Sequence, residues 1–114
     1  MVSEPPREAR ILEDECIISN TSAMIVIKYD ETVRINELVL SYKEALYKGL
    51  SVKQWEHTTV SEFSRGRATV CLRALQCATM YRMSVKAVND FGAGPASHEV
   101  WFRTVDGDVE IRKT

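Results

Sequence analysis

Tyr81, Met83, Val85 and Ala87 stand at alternate positions, interleaved with Arg82, Ser84 and Lys86. Successive side chains of an extended strand point to opposite faces, so this stretch has one face for a core and one for water. The same period recurs twice more. Ala68, Val70 and Leu72 oppose Thr69, Cys71 and Arg73, and Leu38, Leu40 and Tyr42 oppose Val39, Ser41 and Lys43. Strands of this kind must bury their apolar faces against one another.

Further strands are expected at Ile11–Leu12 behind the Pro-rich opening SEPPREARI, at AMIVIKY, at Ser51 to Thr59 around Trp55, and around Val100, Phe102 and Thr104. The adjacent Pro5 and Pro6 suit an edge or lead-in, since neither donates to a ladder. In AMIVIKY, Met24, Ile25, Val26 and Ile27 are all apolar, so periodicity leaves the inward face open. Lys43 to Gly49 reads as a short helical turn that Gly49 ends. The total is seven strands with short spacers, which predicts an all-β antiparallel sandwich, with a small barrel as the alternative.

The chain has 114 residues, of which 45% are apolar, enough for one domain with its own core. Its 15 basic and 16 acidic side chains leave a formal net charge of -1, which supplies no field for nucleic acid or an anionic membrane. MVSEPPREAR has no apolar core of a signal peptide, and no twenty-residue apolar span follows. Cys16, Cys71 and Cys77 are odd in number and match no zinc or redox spacing, which leans toward a reducing, intracellular compartment. Asn20-Thr21-Ser22 satisfies the N-glycosylation pattern and keeps an extracellular parent open.

No catalytic constellation is visible, so the expectation is a protein without catalytic residues, cofactor or metal. His57 and His98 fall in separate polar stretches. Glu13-Asp14-Glu15 lacks the spaced oxygen donors of a calcium loop. Gly92 and Gly94 follow a strand but precede Pro95 and another strand, not the helix N-terminus that would receive a phosphate.

The segment from Leu75 to Thr104 resembles the last part of a fibronectin type III domain. Leu75, Tyr81, Met83, Val85, Ala87, Asn89, Gly92, Gly94, Ser97 and Thr104 stand at the positions of that pattern, Pro5 and Pro6 match its lead-in, and Trp55 matches a frequent Trp on its fourth strand. The resemblance implies a seven-stranded antiparallel immunoglobulin-like sandwich over residues 1–104, with 105–114 a polar tail or linker. It also implies that Tyr81 packs inward with its hydroxyl bonded to backbone near the preceding link. Leu75, Tyr81, Met83, Val85, Ala87, Gly92 and Gly94 are then structural. Two departures stand out. The usual Trp of the second strand is missing, leaving its position to Ile27 or Tyr29. Gln76-Cys77-Ala78 replaces the usual Pro-Gly, so that link is less prescribed by backbone chemistry. No Arg-Gly-Asp triplet occurs.

The implied function is a non-catalytic protein-interaction or spacer module of a larger multidomain protein. The alternative is a regulatory or positioning domain attached to an enzyme such as a ubiquitin ligase or kinase. The expected partner is a protein, with no nucleic acid and no membrane contact, and the isolated domain is expected to be a monomer. Two recognition sites compete. One is the end carrying Asn89 to Pro95, within the connection Asn89 to Ala96, with Asn89, Asp90, Phe91 and Ala93, where Phe91 either folds back on the core or waits for a partner. The other is the strand face around Trp55.

Overall fold

The computed structural model describes residues 4–45, 55–60 and 63–106. Among them are nine strands: β1 (Arg10–Ile11), β2 (Ile17–Ile18), β3 (Ala23–Lys28), β4 (Glu37–Glu44), β5 (Glu56–Val60), β6 (Arg67–Leu72), β7 (Met80–Asn89), β8 (Gly92–Ala93) and β9 (Val100–Arg103). They form two antiparallel sheets rather than a barrel. In the first, β3 pairs with β6 on one side and with β1 and β2 on the other. The second runs β5-β4-β7, and both β8 and β9 pair with the far side of β7.

The count is nine rather than the expected seven because strand pairing along both β3 and β7 is interrupted. Between β1 and β2, the 3₁₀ turn Glu13–Glu15 lifts the chain off β3. Its loss of ladder bonds is made good locally: Leu12 N–H donates to Val26 O at 2.9 Å, and Val26 N–H donates to Cys16 Sγ at 3.4 Å. Between β8 and β9 stands Pro95, which has no N–H to give. Ser97 takes over beside it. Its N–H donates to Val85 O at 2.8 Å, and its hydroxyl oxygen accepts Val85 N–H at 3.0 Å.

The core lies between the sheets. β6 and β7 bury alternate residues as their sequences require: Ala68, Val70 and Leu72 from one, Tyr81, Met83, Val85 and Ala87 from the other. β3 resolves the ambiguous run, with Ala23, Ile25 and Ile27 inward and Met24 and Val26 half-buried on the outer face. Ile27 is thus a core residue, whereas Tyr29 lies just past the strand, half-buried, and meets the Phe63 ring edge-on at 5.2 Å. Trp55 precedes β5 rather than centring it, and residues 51–54 lie outside the described residues. Lys43 and Glu44 end β4 rather than open a helical turn, and 46–49 again lie outside the described residues. Backbone bonding continues through Val105, whose N–H donates to Ser19 O and whose carbonyl accepts Ala78 N–H.

Candidate functional site

The outer face of the β5-β4-β7-β9 sheet follows from parity. Leu38 and Leu40 of β4, and Tyr81, Met83 and Val85 of β7, point into the core, so Lys43 and Arg82 point out. The register sets Lys43 opposite Arg82, and Arg82 opposite Trp101. Tyr42 pairs with Glu56, which brings the preceding Trp55 alongside Lys43. One row across the sheet therefore reads Trp55, Lys43, Arg82, Trp101. Lys43 Nζ lies 4.9 Å and the Arg82 guanidinium 5.2 Å from the centre of the Trp55 ring. A cation over an indole face is attracted by the ring quadrupole, so Trp55 holds both cations on the sheet surface.

Arg82 is incompletely served. Its Nη1 lies 3.6 Å from Glu99 Oε1, and its buried Nε has no acceptor among the described residues. One row further along, Ser41 Oγ and His57 Nδ1 are hydrogen-bonded at 2.8 Å. Ser41, Trp55, His57, Ser84 and Glu99 together line a shallow cleft of about 220 Å³. Beyond Arg82, Trp101 is 54% exposed on β9. Sequence reasoning passed over Trp101, yet its signal was present: it lies between Val100 and Phe102, at the outward parity of the last strand.

The second expected site is elsewhere. Asn89 pairs with Gly92, leaving Asp90 and Phe91 as the tip of a two-residue hairpin, tighter than the expected connection from Asn89 to Ala96. Asn89 is buried and its amide is fully used: Nδ2 donates to Glu4 O at 2.9 Å and Arg34 O at 2.8 Å, and Oδ1 accepts Phe91 N–H at 2.8 Å. These three bonds brace the loop from beneath. Asp90 Oδ1 accepts a bond from Asn36 Nδ2 at 2.8 Å. Phe91 does not fold back, being 58% exposed, and Ala93 is exposed beside it. Seven residue steps along β7 carry the chain from Arg82 to Asn89, about 23 Å at strand rise, so Trp55 and Phe91 belong to different surfaces.

Solved structures share the two-sheet fold. One described as a myokine structure is similar over 92% of this chain and 100% of its own, at 18% identity and a TM-score of 0.65. The chicken CNTN1 FN1–FN3 domains are similar over 92% of this chain and 32% of theirs, at 19% identity and a TM-score of 0.65. A redesigned β-sandwich protein is similar over 92% of this chain and 93% of its own, at 14% identity and a TM-score of 0.63. The fold is a fibronectin type III or immunoglobulin-like sandwich. No protein-family profile and no curated protein sequence matches the chain. At these identities the likeness carries the architecture alone.

Within this fibronectin-like sandwich, the β6–β7 link is pinned from two sides. Gln76 N–H donates to Tyr81 Oη at 2.8 Å, and Thr104 Oγ1 accepts Thr79 N–H at 2.9 Å while donating to Gln76 O at 2.6 Å. Leu75 is buried below it. Gly92 has a φ of +128°, and a Cβ on Gly94 would lie 2.4 Å from Pro6 O, so both glycines serve the backbone. The reactive groups are dispersed. Cys16 is half-buried, Cys71 and Cys77 are exposed, and none is paired. Burial pushes the Cys16 thiol up, with Glu13, Asp14 and Glu15 adding to it against the Val26 N–H. Among the described residues no group of three or more His, Cys, Asp or Glu could hold a metal ion, and no helix is long and apolar enough to cross a membrane.

Proposed function

We propose that this domain is a non-catalytic protein-interaction module that recognises its partner through the outer face of the β5-β4-β7-β9 sheet. The observation that carries this reading is the row Trp55, Lys43, Arg82, Trp101. Trp55 restrains two cations, and Trp101 offers a half-exposed indole beside them. Aromatic and Arg side chains on rigid elements contribute strongly when an interface buries them. A strand-borne row also keeps its geometry before binding, which lowers the ordering cost of association.

A second reading rests on Phe91, exposed at the hairpin tip with Asp90, and on Ala93 exposed in the adjoining β8. Partner capture with the full-length parent separates the two, using Trp101→Ala and Phe91→Ala after each is shown to fold. Loss of the partner with Trp101→Ala alone supports the sheet face. Loss with Phe91→Ala alone transfers recognition to the loop, and retention by both leaves the domain as a spacer.

A further inference from the structure

Building on the sheet-face reading, we infer that this surface takes an acidic, aromatic-bearing extended segment of a partner protein. The outward positions of the sheet carry Lys43, Arg82, Lys86 and Arg103, against Glu37 and Glu99. The whole chain has a formal net charge of -1, so this cationic excess is local to the face. A positive face on a near-neutral domain selects an acidic partner and screens out basic ones.

The spacing specifies an extended chain. Arg103 lies opposite Met80, Lys43 opposite Arg82, and Lys86 follows four residues along β7. The cations thus occupy the β7 levels 80, 82 and 86, all of one parity. An extended segment running along β7 has the same rise and the same alternation, so carboxylates at alternate residues meet these levels in turn. Arg82 has room for such a carboxylate. Its ion pair with Glu99 is long at 3.6 Å, and Glu99 is exposed and free to swing away.

Charge alone leaves the indoles unexplained. Trp101 is 54% exposed at one end of the row, and Trp55 is half-buried at the other. A flexible polyanion without apolar groups gains nothing from them, whereas an aromatic side chain set between acidic residues gains apolar burial and ring stacking. The partner class favoured is therefore a protein segment rather than a sulfated polysaccharide.

The test titrates the full chain with a random glutamate–tyrosine copolymer, and separately with polyglutamate, a lysine–tyrosine copolymer and heparin. The chain contains 2 tryptophans, both on this face, so the two indole N–H signals in a proton–nitrogen NMR spectrum report directly on it. The glutamate–tyrosine copolymer is expected to shift both signals, and polyglutamate and heparin to bind about tenfold more weakly. Reversing two exposed cations, Lys86→Glu with Arg103→Glu, should weaken that binding about tenfold while leaving the unfolding midpoint in place. Heparin or polyglutamate binding as tightly would overturn the inference in favour of a general polyanion surface. Equal binding of the lysine–tyrosine copolymer would overturn the acidic class while leaving the sheet face as the binding surface. Indole signals unmoved by every probe would also overturn it, and partner capture with Trp101→Ala would still judge the sheet-face reading separately.

Discussion

The Tyr81 hydroxyl accepts the Gln76 N–H at 2.8 Å, while the Tyr81 ring stacks on Phe102 with centroids 5.5 Å apart. One side chain thereby ties the β6–β7 link to its cross-strand neighbour on the last strand. Tyr81→Phe keeps the ring and removes the acceptor, leaving a part-buried backbone donor unserved. We predict a loss of about 1–3 kcal/mol in urea unfolding with an unchanged far-ultraviolet spectrum. An unchanged midpoint would contradict a bonded hydroxyl.

Ala78 has a φ of +51°, in the left-handed region, at a link where the fibronectin pattern supplies Pro-Gly. It is held there by its N–H bond to Val105 O at 3.2 Å. An L side chain in that conformation costs roughly 1–2 kcal/mol, and the extra freedom of Gly in the unfolded chain returns roughly 0.4–1. Ala78→Gly should therefore stabilise the domain by about 1 kcal/mol, measured as a higher urea midpoint.

The three thiols differ in environment. Cys16 is half-buried with its pKa raised, while Cys71 and Cys77 are exposed. A raised pKa leaves less thiolate at a given pH, and the thiolate is the nucleophile. Below the ordinary thiol pKa, alkylation of the native protein should label Cys71 and Cys77 first and Cys16 last, with Cys16 gaining rate as pH rises. Unfolded, non-reduced protein should take up three labels by intact mass.

Trp55 and Trp101 should separate in their effect on stability. Trp55 packs under Lys43 and Arg82, so Trp55→Ala is expected to cost about 1 kcal/mol through lost cation–π contacts. Trp101 is half-exposed on β9, and Trp101→Ala should stay within about 0.5 kcal/mol of the parent. Paired urea titrations check both.

Legibility in the sequence tracked how each element is solvated. β6 and β7 each have one wet face, so their alternation gave both the strand and its inward residues. β3 hid its register because Met24 and Val26 are half-buried on the outer face as well. The breaks beside Cys16 and Pro95 escaped notice because a sulfur and a Ser hydroxyl replace ladder partners, which no periodicity records. The site was legible only in fragments. Trp55 was recognised alone, since Lys43, Arg82 and Trp101 become its neighbours through strand register and are distant in the chain. The bonds that tie Asn89 to Glu4, Arg34 and Phe91 were not legible either, because a polar side chain at a loop gives no sign of its partners.

Recognition through the sheet face and recognition through the Phe91 loop differ in which nuclei a bound partner perturbs. The most direct measurement adds the captured partner to isotope-labelled domain and follows the Trp55 and Trp101 indole signals together with the Asp90 and Phe91 amides. With recognition on the sheet face, both indole signals should shift or broaden while the Asp90 and Phe91 amides hold position. Movement of the Asp90 and Phe91 amides with both indoles unchanged would contradict it.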